Sequence, residues 1–279
     1  MVTPARAAPG PGDAGFRDAC PGPGVPAAAR PIVVLSYAHG GGEVLGRALS
    51  ASPGLACTRR SGLLPLCHGA LMTWQRIEGR ETPSALAVKS VRALAANTAV
   101  TVQSGTGAAR WCEIAYAGTP AAESFLRVFP DAAFACVHRS LPAVIAEISR
   151  TYPRGLGGSV LSRHAAGHPG DNLAAITAYW AACTSDLLDF EAAHPRSCIR
   201  VRDEDLASQP GHVAAVLDHL DAAASPMPAW PDRDRNDRDP VGAEPSVTSQ
   251  QPPLEQLPPQ LLAWASDLHA RLGYQPFQP

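Results

Sequence analysis

The sequence lacks several features that would assign it at once to a class of protein. Only one of its 23 basic residues is a lysine, Lys89, so any cationic site must be built from arginine or histidine. The net charge is −2, and no basic excess favours nucleic acid or a membrane surface as a partner. The longest apolar runs are of strand length, and no signal peptide is visible. These absences favour a cytoplasmic protein that binds neither nucleic acid nor membrane.

Cysteine pairs of the C-x-x-C type are also absent. The seven cysteines are scattered, and several lie in apolar runs, where cysteine behaves as a small hydrophobic residue. We therefore expect reduced, buried thiols and no metal site. The G-K-[ST] ending of a Walker A loop is missing too, which disfavours a kinase or an NTPase, because the loop would offer Mg²⁺ no hydroxyl ligand.

The length and composition of the chain predict one principal domain. A chain of 279 residues with 46% hydrophobic content can bury one sizeable α/β core. Residues 1–29 are rich in proline, glycine and alanine and are predicted to be a disordered tail. Residues 30–275 are predicted to form the domain, with a flexible Pro-rich loop or lid over residues 224–253.

The first informative stretch is a strand, a glycine loop and a helix. Residues 32–35 form a fully apolar run typical of a buried parallel strand, and Gly40, Gly41 and Gly42 follow. An amphipathic helix then begins near Val44. Glycines allow the backbone to approach a ligand closely, and the free N–H groups of the first helical turn attract anions. The stretch therefore predicts a phosphate or sulfate site, the alternative being an ordinary glycine-rich turn.

The second informative stretch places an arginine at the end of a strand. Residues 133–137 predict a buried strand, which delivers Arg139 just before a helix that begins at Leu141-Pro142. Ligands of open α/β sheets bind outside the carboxyl ends of the strands, and the planar guanidinium group suits a phosphate. The alternative is a surface arginine that only makes the loop soluble.

The remaining patterns predict further strands and helices. Strands are predicted over residues 85–91, 99–102, 110–116 and 198–201, and helices through residues 68–77 and over residues 171–193. Another helix should begin at Thr119-Pro120, with Thr119 as its N-cap. The acidic run 203–205 could be a metal or acid–base site, but such runs more often cap helix N-termini.

Taken in order, these stretches resemble the bacterial type of sulfotransferase that uses 3′-phosphoadenosine 5′-phosphosulfate (PAPS). Residues 36–50 (SYAHGGGEVLGRALS) resemble the family's 5′-phosphosulfate loop, and residues 129–150 resemble the strand and helix that contact the 3′-phosphate. Weaker likenesses lie in residues 110–120, 198–220 and 261–276. The resemblance implies a three-layer, P-loop-like α/β fold with a central, mostly parallel sheet flanked by helices.

The resemblance also assigns a cofactor site, with departures from the family pattern. His39 stands where a lysine or arginine bridges the sulfate, Gly42 and Glu43 replace a pair of threonines, and Glu147 replaces a serine. The residues assigned to PAPS binding are Ala38, His39, Gly40, Gly41, Gly42, Glu43, Val44, Arg139 and Glu147.

The implied activity is transfer of a sulfuryl group from PAPS, without a metal, to a hydroxyl or amine of a small-molecule or natural-product acceptor. A protonated His39 would replace the missing cation. Glu113 is the predicted general base by position, and His68 is the second candidate. The alternative is a catalytically degenerate protein that keeps the fold and acts in binding or as a scaffold, which His39, Gly42 and Glu43 favour.

Overall fold

A computed structural model describes residues 30–103, 108, 110–222, 254–275 and 277. The predicted tail over residues 1–29 and the predicted loop or lid over residues 224–253 lie outside these residues. No helix in the described part of the chain is long and apolar enough to cross a membrane.

The described residues form five strands and ten α-helices. The strands are β1 (Ile32–Ser36), β2 (Leu55–Arg59), β3 (Arg110–Tyr116), β4 (Ala133–His138) and β5 (Cys198–Arg202). The helices are α1 (Glu43–Ala51), α2 (Leu63–Glu78), α3 (Ala85–Gln103), α4 (Thr119–Val128), α5 (Leu141–Thr151), α6 (Ser162–Gly167), α7 (Asn172–Ala193), α8 (Asp203–Ser208), α9 (Pro210–His219) and α10 (Pro259–Arg271).

The strands form one sheet in the order β2-β3-β1-β4-β5, and every pairing is parallel. Strand β1 lies at the centre, where Val34 pairs with Ile114 of β3 and Ala135 of β4. All five residues of β1 are buried, as expected for a strand covered on both faces. The predicted α/β fold with a central parallel sheet is confirmed.

Alternate residues of β1 face two different helix layers. Val33 and Leu35 pack with α2, α3, α4 and α7, whereas Ile32 and Val34 pack with α1 and α9. A third apolar cluster joins α5, α6, α7 and α10 and includes Tyr37, the first residue after β1. The sheet with a helix layer on each face gives the predicted three layers.

Three local predictions are wrong, and one strand was missed. Residues 85–91 and 99–102 are not strands but parts of the single helix α3, whose buried face repeats every four residues at Ala87, Val91, Ala95 and Ala99. Strand β2 was not predicted at all; it is a short edge strand with only one fully buried residue. Thr119 is the first residue of α4 rather than its N-cap, which is Gly118.

The connections out of β1 and β4 run in opposite directions. After β1 the chain passes through α1 to the edge strand β2, and after β4 it passes to β5 at the other edge. Because β1 and β4 are neighbours, the segments that follow them lie side by side at the carboxyl edge of the sheet, which is where ligands of open α/β sheets bind. The glycine loop follows β1, and Arg139 follows β4.

The six cysteines of the described residues are free thiols. Cys67, Cys112 and Cys136 are buried, and the other three are half-buried. Cys57 and Cys112 are direct partners in the β2–β3 register and belong to one apolar cluster, so cysteine acts here mainly as a packing residue.

Candidate functional site

The glycine loop connects β1 to α1 through a run of left-handed backbone. His39, Gly41 and Gly42 have φ values of 67°, 90° and 102°. Glycine adopts this conformation without strain, and histidine is among the few other residues found there. The Tyr179 hydroxyl donates to the carbonyl of Ala38 at 3.0 Å, and the N–H of Gly40 donates to the carbonyl of Tyr37 at 2.8 Å. The loop is therefore fixed from both sides, and α1 begins directly after it at Glu43, with Val44 buried behind.

Arg139 lies against this loop. Its Nη1 atom donates to the carbonyl of His39 at 3.4 Å, across 100 residues of sequence. Its own carbonyl accepts from the indole N–H of Trp180 at 2.8 Å, which fixes the turn between β4 and α5. Burial alone would lower the pKa of Arg139, but the charges of Glu147 and Asp203 outweigh it and raise the pKa. The structure thus brings Arg139 and the predicted loop together.

Glu147 lies between His39 and Arg139. Its Oε1 atom is 3.2 Å from Nδ1 of His39, and Oε2 accepts from the guanidinium of Arg139. Burial alone would raise the pKa of this carboxyl, but the hydrogen bond with His39 and the charge of Arg139 lower it to about 2. The carboxylate is therefore charged at physiological pH and already occupies the contacts that an anionic ligand would use.

Asp203 fills the other side of the loop. Its Oδ1 atom accepts from the N–H of Gly42 at 3.0 Å, its Oδ2 is 3.8 Å from Nε of Arg139, and its side chain is 3% exposed. A Cβ atom on Gly41 would lie 2.5 Å from Cγ of Asp203, so only glycine fits beside this carboxylate. Asp203 therefore takes one of the backbone N–H groups that the loop would offer to an anion.

The acidic run of residues 203–205 does cap helix N-termini, but mostly those of other helices. Asp203 caps α1 through Gly42, and Glu204 accepts from the N–H of Ser140, the residue before α5, at 2.9 Å. The hydroxyl of Tyr274 donates to the same Glu204 at 2.5 Å. The run thus caps helix N-termini, as expected, and the capped helices are α1 and α5. Asp203 is also part of the candidate site.

A third acidic group, Glu43, lies at the start of α1. It accepts a hydrogen bond of 2.5 Å from the hydroxyl of Tyr116 at the end of β3. The guanidinium of Arg60 lies over the ring of Tyr116, 4.6 Å from its centroid. Arg60 is therefore connected to Glu43 through the ring of Tyr116.

Three solved structures share this architecture. A sulfotransferase domain from the curacin biosynthetic pathway is 18% identical, with a TM-score of 0.53, and the match covers 89% of this chain and 99% of that domain. A sulfotransferase domain from the Synechococcus PCC 7002 olefin synthase is 18% identical, with a TM-score of 0.57 and coverage of 92% and 99%. A sulfotransferase from Alicyclobacillus acidocaldarius is 15% identical, with a TM-score of 0.50 and coverage of 88% and 97%. The protein has the sulfotransferase fold.

Comparison of the sequence alone is less informative. No protein-family model matches it, and no curated protein matches it either. The likeness to sulfotransferases therefore rests on the comparison of structures, and it concerns the fold. The two features that sequence reasoning missed within this fold are Asp203 as a partner of the loop and Tyr116 as a partner of Glu43. Both residues could have been found from their positions, because Tyr116 ends one predicted parallel strand and Asp203 follows another. The carboxyl ends of parallel strands all lie at the same edge of the sheet.

The two predicted general bases lie elsewhere in the sulfotransferase fold, beside α2. Both oxygens of Glu113 are engaged: Oε2 accepts from the hydroxyl of Thr58 at 2.5 Å, and Oε1 accepts from the N–H of Ser61 at 2.8 Å. His68 lies on α2, with Nδ1 2.9 Å from the hydroxyl of Ser124 on α4. Glu113 thus holds the loop between β2 and α2, and His68 links two helices; their role as bases stays a prediction.

The environment of Glu113 leads to a prediction about the pH dependence of stability. Burial raises the pKa of this carboxyl above its ordinary value of 4.5, although the hydrogen bonds from Thr58 and Ser61 partly offset the effect. An acid whose pKa is raised on folding stabilises the native state below its unfolded pKa and loses that contribution as the pH rises. Relative to Glu113→Gln, the wild type should therefore lose unfolding free energy as the pH rises from 4 to 8. Urea unfolding of both proteins across this range measures their difference in unfolding free energy. A difference that does not change with pH would contradict the prediction.

The site residues also bear on metal binding. Among the residues that the structure describes, no three His, Cys, Asp or Glu side chains are grouped so that they could hold a metal ion. The carboxylates near the loop are engaged with cations or N–H groups instead, as Glu147 is with Arg139 and Asp203 with Gly42.

Proposed function

We propose that the protein binds PAPS at the glycine loop and transfers its sulfuryl group to a hydroxyl or amine of a small-molecule acceptor. The observation that carries the proposal is the meeting of Arg139 and His39 at the glycine loop. This meeting lies at the carboxyl edge of the sheet, between strands whose connections diverge, in a sulfotransferase fold. The three loop glycines are buried, and the half-buried residues of the loop are Ala38, His39 and Glu43.

The chain's own residues would bind and orient the donor. The backbone N–H groups at the start of α1 would hold the 5′-phosphosulfate, and Arg139 would face the 3′-phosphate. In the reaction the acceptor oxygen or nitrogen bonds to sulfur while the bond from sulfur to the phosphate oxygen breaks, and its electrons stay on 3′-phosphoadenosine 5′-phosphate. A protonated His39 would stabilise the charge that develops on this leaving group.

A general base would take the acceptor's proton. Of the two predicted candidates, His68 is the simpler one, because Glu113 would have to give up a hydrogen bond from Thr58 or Ser61 to act. We propose a natural-product acceptor, because two of the structurally similar proteins are domains of a curacin pathway and an olefin synthase. A cytoplasmic location agrees with the free thiols of the described residues.

The proposal is tested by nucleotide binding followed by turnover. Calorimetric titration with 3′-phosphoadenosine 5′-phosphate should give binding in the micromolar range. Titration with ATP and Mg²⁺ should be at least about tenfold weaker, because the glycine loop offers Mg²⁺ no hydroxyl ligand. With ³⁵S-labelled PAPS and a panel of hydroxyl and amine acceptors, label should pass to an acceptor in the wild type and be lost in His39→Ala. Failure of the first nucleotide to bind would overturn the proposal.

A second candidate function is supported by the same site. Glu147 engages both His39 and Arg139, and Asp203 engages Gly42, so groups that would bind PAPS already have internal partners. A catalytically degenerate protein that uses this fold for binding or as a scaffold would show this pattern. The titration distinguishes this second function from sulfuryl transfer. For a degenerate protein, neither the wild type nor Glu147→Gln would bind 3′-phosphoadenosine 5′-phosphate.

A further inference from the structure

The carboxylate of Glu147 is placed as a phosphate group of a ligand would be. One of its oxygens contacts Nδ1 of His39 and the other contacts the guanidinium of Arg139, so both side chains share one carboxylate. Charge-assisted pairs like the one with Arg139 are the usual way in which arginine binds a phosphate. Arg139 thus already has an anionic partner that is part of the chain.

The position of Glu147 is fixed by the helix that carries it. It lies eight residues after Arg139 on α5, between Val144 and Ile148, which are both fully buried. Arg139 is held from the other side by Asp203 at 3.8 Å, and its backbone carbonyl is bound by Trp180. Neither partner can therefore move away without breaking other contacts, so the pair is a built part of the site.

Glu147 and Asp203 both lie beside Arg139, but their other contacts differ. Glu147 contacts the side chains of His39 and Arg139, whereas the backbone N–H of Gly42 is bound by Asp203. A change at Glu147 therefore affects an anionic group that contacts Arg139 and leaves the backbone of the loop in place. Because like charges a few ångströms apart repel, a ligand phosphate at Arg139 would have to share it with this carboxylate or displace it.

We infer that Glu147 sets the nucleotide specificity of the site by removing the advantage of a 3′-phosphate, so that nucleotides with and without this group bind almost equally well. The inference rests on the proposed function, in which Arg139 faces the 3′-phosphate. Replacing the carboxylate by a neutral side chain removes the charged partner of Nη1 of Arg139, while Asp203 stays beside Nε, and restores the preference.

The test compares two nucleotides that differ only in the 3′-phosphate. Dissociation constants of adenosine 5′-phosphate and 3′-phosphoadenosine 5′-phosphate are measured by calorimetry for the wild type, Glu147→Ser and Glu147→Gln. The charge-matched control is Glu81→Gln, an exposed residue in the turn after α2. In the wild type and the control the two constants should differ by less than about threefold, and in both Glu147 variants the 3′-phosphorylated nucleotide should bind at least about tenfold more tightly.

Two results overturn the inference and differ from each other. A wild type that already prefers the 3′-phosphorylated nucleotide by tenfold or more, with the same ratio in Glu147→Ser, leaves the proposed function intact and rejects the role of Glu147. If no protein binds either nucleotide, the proposed function fails and the inference fails with it. Thermal unfolding of each variant shows that it is folded, and the near-isosteric Glu147→Gln provides the answer if Glu147→Ser does not fold.

Discussion

Replacing Gly41 by alanine should cost about 2–4 kcal/mol of unfolding free energy and abolish nucleotide binding. The backbone of Gly41 has φ = 90°, which a residue with a Cβ atom adopts only under strain. The added Cβ would also lie 2.5 Å from Cγ of Asp203, so that Asp203 must move and release the N–H of Gly42. The loop would then lose the left-handed conformation that brings the N–H of Gly42 to Asp203.

The matched control is the same substitution at Gly69. This glycine lies inside α2, its φ is not positive, and a Cβ atom added there would point into open space. Gly69→Ala should therefore stabilise the protein by about 0.5–1 kcal/mol, because alanine favours the helix. Denaturant unfolding and calorimetry with 3′-phosphoadenosine 5′-phosphate measure both variants. Equal effects of the two substitutions would contradict the special role of the loop.

Arg139→Ala should weaken the binding of every adenosine nucleotide by about 10- to 100-fold and cost about 2–3 kcal/mol of stability. The variant removes a cation and leaves the carboxylates of Glu147 and Asp203 without it at the edge of the site. Both then repel an incoming phosphate. The stability cost is smaller than for a fully buried pair because 28% of the Glu147 side chain is exposed.

A double-mutant cycle separates this effect from a simple loss of packing. Arg139→Ala combined with Glu147→Ala should be more stable than Arg139→Ala alone, because the second change removes the unpaired carboxylate. Arg127→Ala, an exposed arginine on α4, serves as the control and should stay within about 0.5 kcal/mol of the wild type. If the stability loss of the double variant equals the sum of the losses of Arg139→Ala and Glu147→Ala, the coupling energy of the ion pair is zero.

The sheet could be predicted from the sequence because its central strands are short and almost wholly apolar. Strands β1 and β4 are buried on both faces, so their composition alone marks them. Helix α3 could not be recognised in the same way. Its buried face consists of Ala87, Val91, Ala95 and Ala99, and alanines on its other faces give no contrast with them. The valines of α3 also give it a composition that is typical of a strand.

The candidate site could be predicted only where it is local in sequence. The glycine loop and Arg139 each follow a recognisable strand, and their meeting follows from the parallel sheet. The contact of Gly42 with Asp203 joins residues 161 positions apart, and only the final packing of β5 determines it. Glu147 was visible as a departure from the family pattern, but its pairing with both His39 and Arg139 depends on side-chain positions that the pattern does not contain.

The link between Gly42 and Asp203 has a consequence for how the protein is made. The loop is synthesised early, but the carboxylate that satisfies its N–H group emerges from the ribosome 161 residues later. Contacts of such long sequence separation form late in folding, because the chain between them must first be ordered. During synthesis the nascent chain therefore presents a glycine loop without its internal carboxylate, and the site acquires its mature charge balance only when β5 joins the sheet.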